Sequence, residues 1–170
     1  MLDGFYQTVA QLCFTLLGLW WLVLQTKYRV WVSDAKRRRM ATNISLYFLL
    51  PGAMSLLALL ATDPLFWQIP FILTGAIGAL ETFFLILRSP HPAGTPWIGP
   101  ALRWTGFVLY VLVVLVAVVA LFANQLQITL SHAFAPLVVA GWLLTLLIVL
   151  GLGLAWAYFI EPAEDMSDAS

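Results

Sequence analysis

Five long apolar runs, separated by short polar or proline-rich stretches, set the pattern of the chain. They cover roughly Phe5–Gln25, Ile44–Ala61, Leu65–Leu87, Ala101–Ala123 and Phe134–Ile160. Each is close to the ~20 residues that a helix needs to cross about 30 Å of hydrocarbon. In lipid, a helix satisfies its own backbone donors and acceptors. The pattern therefore predicts an all-α, polytopic bundle of five transmembrane helices. One membrane domain over residues 1–160 is expected, followed by a disordered tail, 161–170. Asn43 is suited to cap the second helix. Asp63-Pro64 opens the third, and Pro100 does the same for the fourth. Pro51 and Pro70 fall inside helices, where each removes a backbone bond and favours a bend.

Polar and small residues recur along the first helix at steps of three and four: Gly4, Gln7, Gln11, Thr15, Gly18, then Leu22 and Gln25. At about 100° per residue they share an arc of roughly 80°, with Cys13 on the opposite face. Acyl chains offer a glutamine amide no partner, so this face should meet protein or water. The third helix carries Gln68, Gly75, Gly78, Ala79 and Thr82, with Thr74 and Glu81 on the flank. The fourth repeats the theme with Arg103, Gly106, Tyr110, Ala117 and Asn124, and the fifth more weakly with Gly141, Thr145, Gly151 and Ala155. Such stripes are expected to meet in a shared interior, either as hydrogen-bonded packing or as a hydrated path.

Glu81 is the one acidic residue inside a span. It lies seven residues before Arg88, about 10 Å along a helix. An unpaired carboxylate there costs at least about 2.5–3.5 kcal/mol. A base, water or a bound proton must offset that cost. Arg103, entering from the same side on the next helix, is the first expected partner, and Arg88 the second. The candidate intramembrane polar site is therefore Glu81, Arg103, Arg88, Gln7, Gln11, Thr15 and Tyr110.

Composition supports lipid as the main solvent, since 62% of residues are hydrophobic and only 9% charged. Soluble domains carry about 25% charge. The distribution of charge says more than its net value of zero. Lys27, Arg29, Lys36, Arg37, Arg38, Arg39, Arg88 and Arg103 all fall on one side of a five-span chain. The positive-inside rule makes that side cytoplasmic, with the N-terminus outside and the C-terminus inside. Trp20, Trp21, Trp31, Trp97, Trp104 and Trp156 are placed near the same side and Trp67 near the other, as interfacial rings prefer. Trp142 lies deeper and reads as a packing residue. The first run has no basic leader or small-residue cleavage pattern, so it is expected to remain as a span. The lack of targeting features suits a bacterial plasma membrane.

The block Lys36, Arg37, Arg38, Arg39, near a short helix that Ser33 suits as cap, is expected to touch anionic lipid headgroups. The connection 88–100, RSPHPAGTPWIGP, reads as a stiff, extended connector. The tail EPAEDMSDAS is acidic, and on the same side as the basic block it can act as a latch.

Catalytic chemistry finds little footing. A single cysteine, Cys13, rules out an intramolecular disulfide. His91 and His132 fall on opposite sides of the membrane, and no span holds a histidine to ligate haem. CxxC, HExxH, Walker and GxGxxG patterns are absent. The expectation is a non-enzyme without cofactor that does not bind nucleic acid. It is expected to act as an accessory or assembly subunit that associates with itself or with a larger membrane complex. The alternative is an ion or proton channel or transporter whose path includes Glu81, Gln7 and Gln11.

Overall fold

A computed structural model describes residues 2–26, 35–60, 64–88, 98–126 and 135–160 of the chain. Five helices account for nearly all of them: α1 (Leu2–Thr26), α2 (Ala35–Leu60), α3 (Pro64–Arg88), α4 (Ile98–Gln125) and α5 (Pro136–Ile160). All five are long and apolar enough to cross a membrane, the make-up of an integral membrane protein. Ser33, Asp63, Lys27, Arg29, both histidines, the proline-rich stretch 89–97 and the acidic tail lie outside the described residues, and so do the side chains of Lys36 and Arg37.

The helix boundaries depart from the sequence expectation chiefly at α2. Asn43 does not cap it. The helix starts eight residues earlier, so Asn43 sits well inside and is buried. The basic block is not beside a short helix but forms the first turns of α2 itself. Long, straight side chains such as Lys and Arg are good helix formers, so the block extends the helix beyond its apolar part. Pro64 opens α3 as expected, whereas Pro100 is the third residue of α4 rather than its first. Pro51 and Pro70 both lie inside continuous helices. Ser55 Oγ donates to the Pro51 carbonyl at 2.8 Å, and Thr74 Oγ1 to the Pro70 carbonyl at 2.6 Å.

α2 is the central element, packed against α1, α3 and α5, while α3 pairs with α4 and α4 with α5. The core is dense and aromatic, built on Tyr47, Phe48, Phe71, Tyr110, Met54 and Leu144. Bundle exteriors in water are polar, but this one is lined by Leu60, Leu19, Leu73, Val119 and Phe122. Only hydrocarbon makes that exterior inexpensive. Trp142 belongs to it. At 70% exposed it is not the packing residue its depth suggested.

Small residues let the helices approach, because lipid gives no hydrophobic push and close contact must supply the attraction. Gly52 of α2 lies against Cys13 of α1, where a Cβ would stand 3.0 Å from the cysteine Cβ. Gly106 of α4 takes the Tyr47 hydroxyl directly onto its backbone. That hydroxyl is buried, has Thr82 and Arg103 as polar neighbours, and makes no hydrogen bond of full geometry. A Tyr47→Phe change therefore forfeits little and removes a polar burial cost. Stability is expected to stay within about 0.5 kcal/mol of the parent or to rise. Chemical unfolding in mixed micelles measures this, and a loss above about 1.5 kcal/mol would show a working hydrogen bond there.

Candidate functional site

Polar side chains end up in three separate places. The first is the interior. Gln68, Gly75, Gly78 and Thr82 of α3 are buried, as are Gly106, Tyr110 and Ala117 of α4 and Gly141 and Gly151 of α5. Those stripes meet inside as their spacing predicted, although Thr145 and Asn124 at their edges are exposed. Tyr110 Oη donates to the Leu46 carbonyl at 3.3 Å, tying α4 to α2. Thr82 Oγ1 is turned back onto the Gly78 carbonyl at 2.8 Å. This seam is a packed joint.

The second place is the outer face of α1, where the structure corrects the sequence reading. Gly4, Gln7, Gln11, Thr15, Gly18, Leu22 and Gln25 are all exposed. They point away from the other four helices. α1 docks instead through the opposite face, with Tyr6, Ala10, Cys13, Leu17 and Trp20 buried. That face is held at both ends. Tyr6 Oη donates to the Leu137 carbonyl at 2.6 Å, and Trp20 Nε1 to the Ala41 carbonyl at 3.3 Å. The aromatic face wins because it offers more packing surface and two anchoring donors. Thr8 and Thr15 satisfy their hydroxyls locally on the Gly4 and Gln11 carbonyls, both at 2.8 Å. The amides of Gln7 and Gln11 have no such local outlet, and nothing lies within 4 Å of where a Cβ on Gly4 or Gly18 would stand.

The third place is a cleft of about 210 Å³ between α2 and α3 at the arginine-bearing end of the bundle. α2 contributes Arg38, Arg39, Thr42 and Asn43, one helical face by their spacing. α3 contributes Glu81, Phe84, Leu85 and Arg88, again at steps of three and four. Glu81 thus opens to this cleft, which it shares with Arg88 and the two α2 arginines. Arg103, the first expected partner, stands elsewhere. Its Nη2 donates to the Met40 sulfur at 3.7 Å, and it neighbours Tyr47. The reason lies in the rotation of α3, which turns Gly75 and Gly78 toward α4 and leaves Glu81 on the other flank. Three guanidinium groups against one carboxylate (3 − 1) give the cleft a net charge of +2. Arg88 Cζ lies over the Phe84 ring, 5.4 Å from its centroid, a cation–π contact at the cleft wall. Thr42, Asn43, Phe84 and Leu85 were not anticipated as site residues. For Phe84 and Leu85 the signal was present in the i, i+3, i+4, i+7 register they share with Glu81 and Arg88.

The chain matches no family model, no curated protein and no solved structure.

Proposed function

We propose that this protein is an accessory or assembly subunit of a membrane complex, joined to its partner through the outer face of α1. The observation that carries this reading is the outward placement of Gln7 and Gln11 on a largely apolar helix. Gln11 is nine residues from Leu2, about 13 Å along a helix roughly 37 Å long, and so lies at hydrocarbon depth. A glutamine amide at that depth gains a partner only from another polypeptide or from trapped water. Each amide is both donor and acceptor, so the same residues on a second copy satisfy it by two-fold symmetry. Gly4 and Gly18 on the same stripe allow the two backbones to approach.

With the arginine-bearing end in the cytoplasm, the N-terminus is outside and the C-terminus inside. A bacterial plasma membrane suits this arrangement. The alternative, a channel or transporter using Glu81, Gln7 and Gln11, has less behind it. Those residues lie on different outer surfaces, and large aromatic side chains occupy the core between the helices.

A Gln7→Leu/Gln11→Leu double variant is expected to fold normally and to weaken association roughly tenfold or more. Native mass spectrometry of protein extracted from its own membrane reads the mass of the assembly, and far-UV circular dichroism checks the fold. Wild-type protein that is strictly monomeric and carries no partner would overturn the proposal. Ion or proton flux in liposomes, abolished by Glu81→Gln, would instead support the channel.

A further inference from the structure

The basic residues at the arginine-bearing end do more than mark one side of a membrane. A topology signal requires only that positive charge lie near the ends of the spans. It does not require three arginines from two helices to converge on one cleft. Nor does it explain Asn43, which is 7% exposed, lines that cleft and makes no side-chain hydrogen bond among the described residues. The amide of Asn43 is not among the buried polar atoms left without a partner, so it opens into the cleft, where its donors can meet a ligand atom. The neighbouring Thr42 hydroxyl is already committed, donating to the Arg38 carbonyl at 3.0 Å. Asn43 is then a neutral donor open to the cleft.

The geometry points to a binding site for a phosphate group, presented by an anionic phospholipid. Charge selects an anion, since the cleft carries a net +2. Planar guanidinium forks suit a phosphate better than point charges do. Phe84 contacts the Arg88 guanidinium from one side. Lipid is favoured over soluble phosphate because the cleft wall is partly apolar. Phe84 and Leu85 continue into the exposed α3 strip of Leu80, Ile77 and Leu73, which leads away from the arginines toward mid-span. An acyl chain attached to the bound phosphate would lie along that strip. Basic pockets between transmembrane helices are known to hold such headgroups. Glu81, deeper than Arg88 by about 10 Å along α3, reduces the charge of the cleft, so it tempers affinity rather than supplying it.

The test is native mass spectrometry of the full chain in detergent, offered equal amounts of phosphatidylglycerol and phosphatidylcholine. One phosphatidylglycerol is expected to be retained in preference. Arg88→Lys keeps the charge but loses the fork, and Asn43→Leu changes no charge. Each is expected to reduce retention of phosphatidylglycerol roughly tenfold, the share of one charge-assisted hydrogen bond. Glu81→Gln is expected to raise it. Millimolar inorganic phosphate separates the sources. Failure to displace the lipid assigns the site to phospholipid, whereas displacement overturns that assignment in favour of soluble phosphate. Equal retention of both lipids by the wild type overturns the site altogether. So does unchanged retention of phosphatidylglycerol in Arg88→Lys and Asn43→Leu, since binding would then follow total charge alone.

Discussion

Tyr110→Ala is expected to lower the stability of the bundle by about 3–5 kcal/mol, as large aromatic truncations in cores do. Tyr110 is 1% exposed and sits where three helices meet. Its ring lies 5.5 Å from that of Tyr47 on α2, tilted by 43°, and its other face covers Gly78 of α3. Removing the ring leaves a void that neither flat glycine backbone nor the pinned Tyr47 can fill. In lipid, lost van der Waals contact is the whole penalty, because the departing surface gains nothing from water. The hydroxyl adds little, since its bond to the Leu46 carbonyl is long at 3.3 Å. Tyr110→Phe should therefore cost no more than about 1 kcal/mol. Tryptophan fluorescence during SDS-induced unfolding in mixed micelles measures both. A Tyr110→Ala loss below about 1 kcal/mol would contradict the packing described.

Gly78→Ala approaches the same joint from the opposite side and is expected to cost about 1–3 kcal/mol by overpacking. A Cβ at Gly78 would stand 2.5–2.7 Å from three ring atoms of Tyr110. A ring held between Tyr47 and the Leu46 carbonyl has no room to retreat. On a Tyr110→Ala background the obstacle is gone, and the alanine should cost almost nothing. A double-mutant cycle therefore returns a coupling close to the full single-variant cost. Gly153 provides the contrast. Nothing lies within 4 Å of its Cβ position, so Gly153→Ala should stabilise α5 by about 0.5–1 kcal/mol through lower chain entropy. Equal effects at Gly78 and Gly153 would show that propensity, not steric fit, governs these glycines.

The contrast between the two glycines extends to whole helix faces. α3, α4 and α5 turn their small and polar stripes inward, where Gly78 receives Tyr110 and Gly106 receives Tyr47. α1 turns its stripe outward, although its spacing of glycine, glutamine and threonine looks the same on paper. The difference arises on the opposite side of each helix. The far face of α1 carries Tyr6 and Trp20, whose polar tips reach backbone carbonyls of α5 and α2. The far faces of α3 and α4 carry Leu73, Ile77, Leu80, Val108 and Leu115, which acyl chains accommodate without loss.

Much of this architecture was readable from the chain by itself. Five runs of the right length, the scarcity of charge within them and the backbone's need for internal hydrogen bonds leave a helix bundle as the outcome. The inward stripes of α3 and α4 followed from spacing alone. Tertiary structure alone decided where α1 directs its glutamines and which arginines share a cleft with Glu81. Periodicity reports that a helix has two faces, but not which of them meets its own bundle, since both protein and a second chain satisfy an amide. Likewise Glu81 lies in the helix adjoining that of Arg103 in sequence, yet the rotation of α3 turns it to the cleft that Arg38, Arg39 and Arg88 also line. Helix rotation is set by the summed fit of many side chains, and a one-dimensional pattern carries no record of that sum.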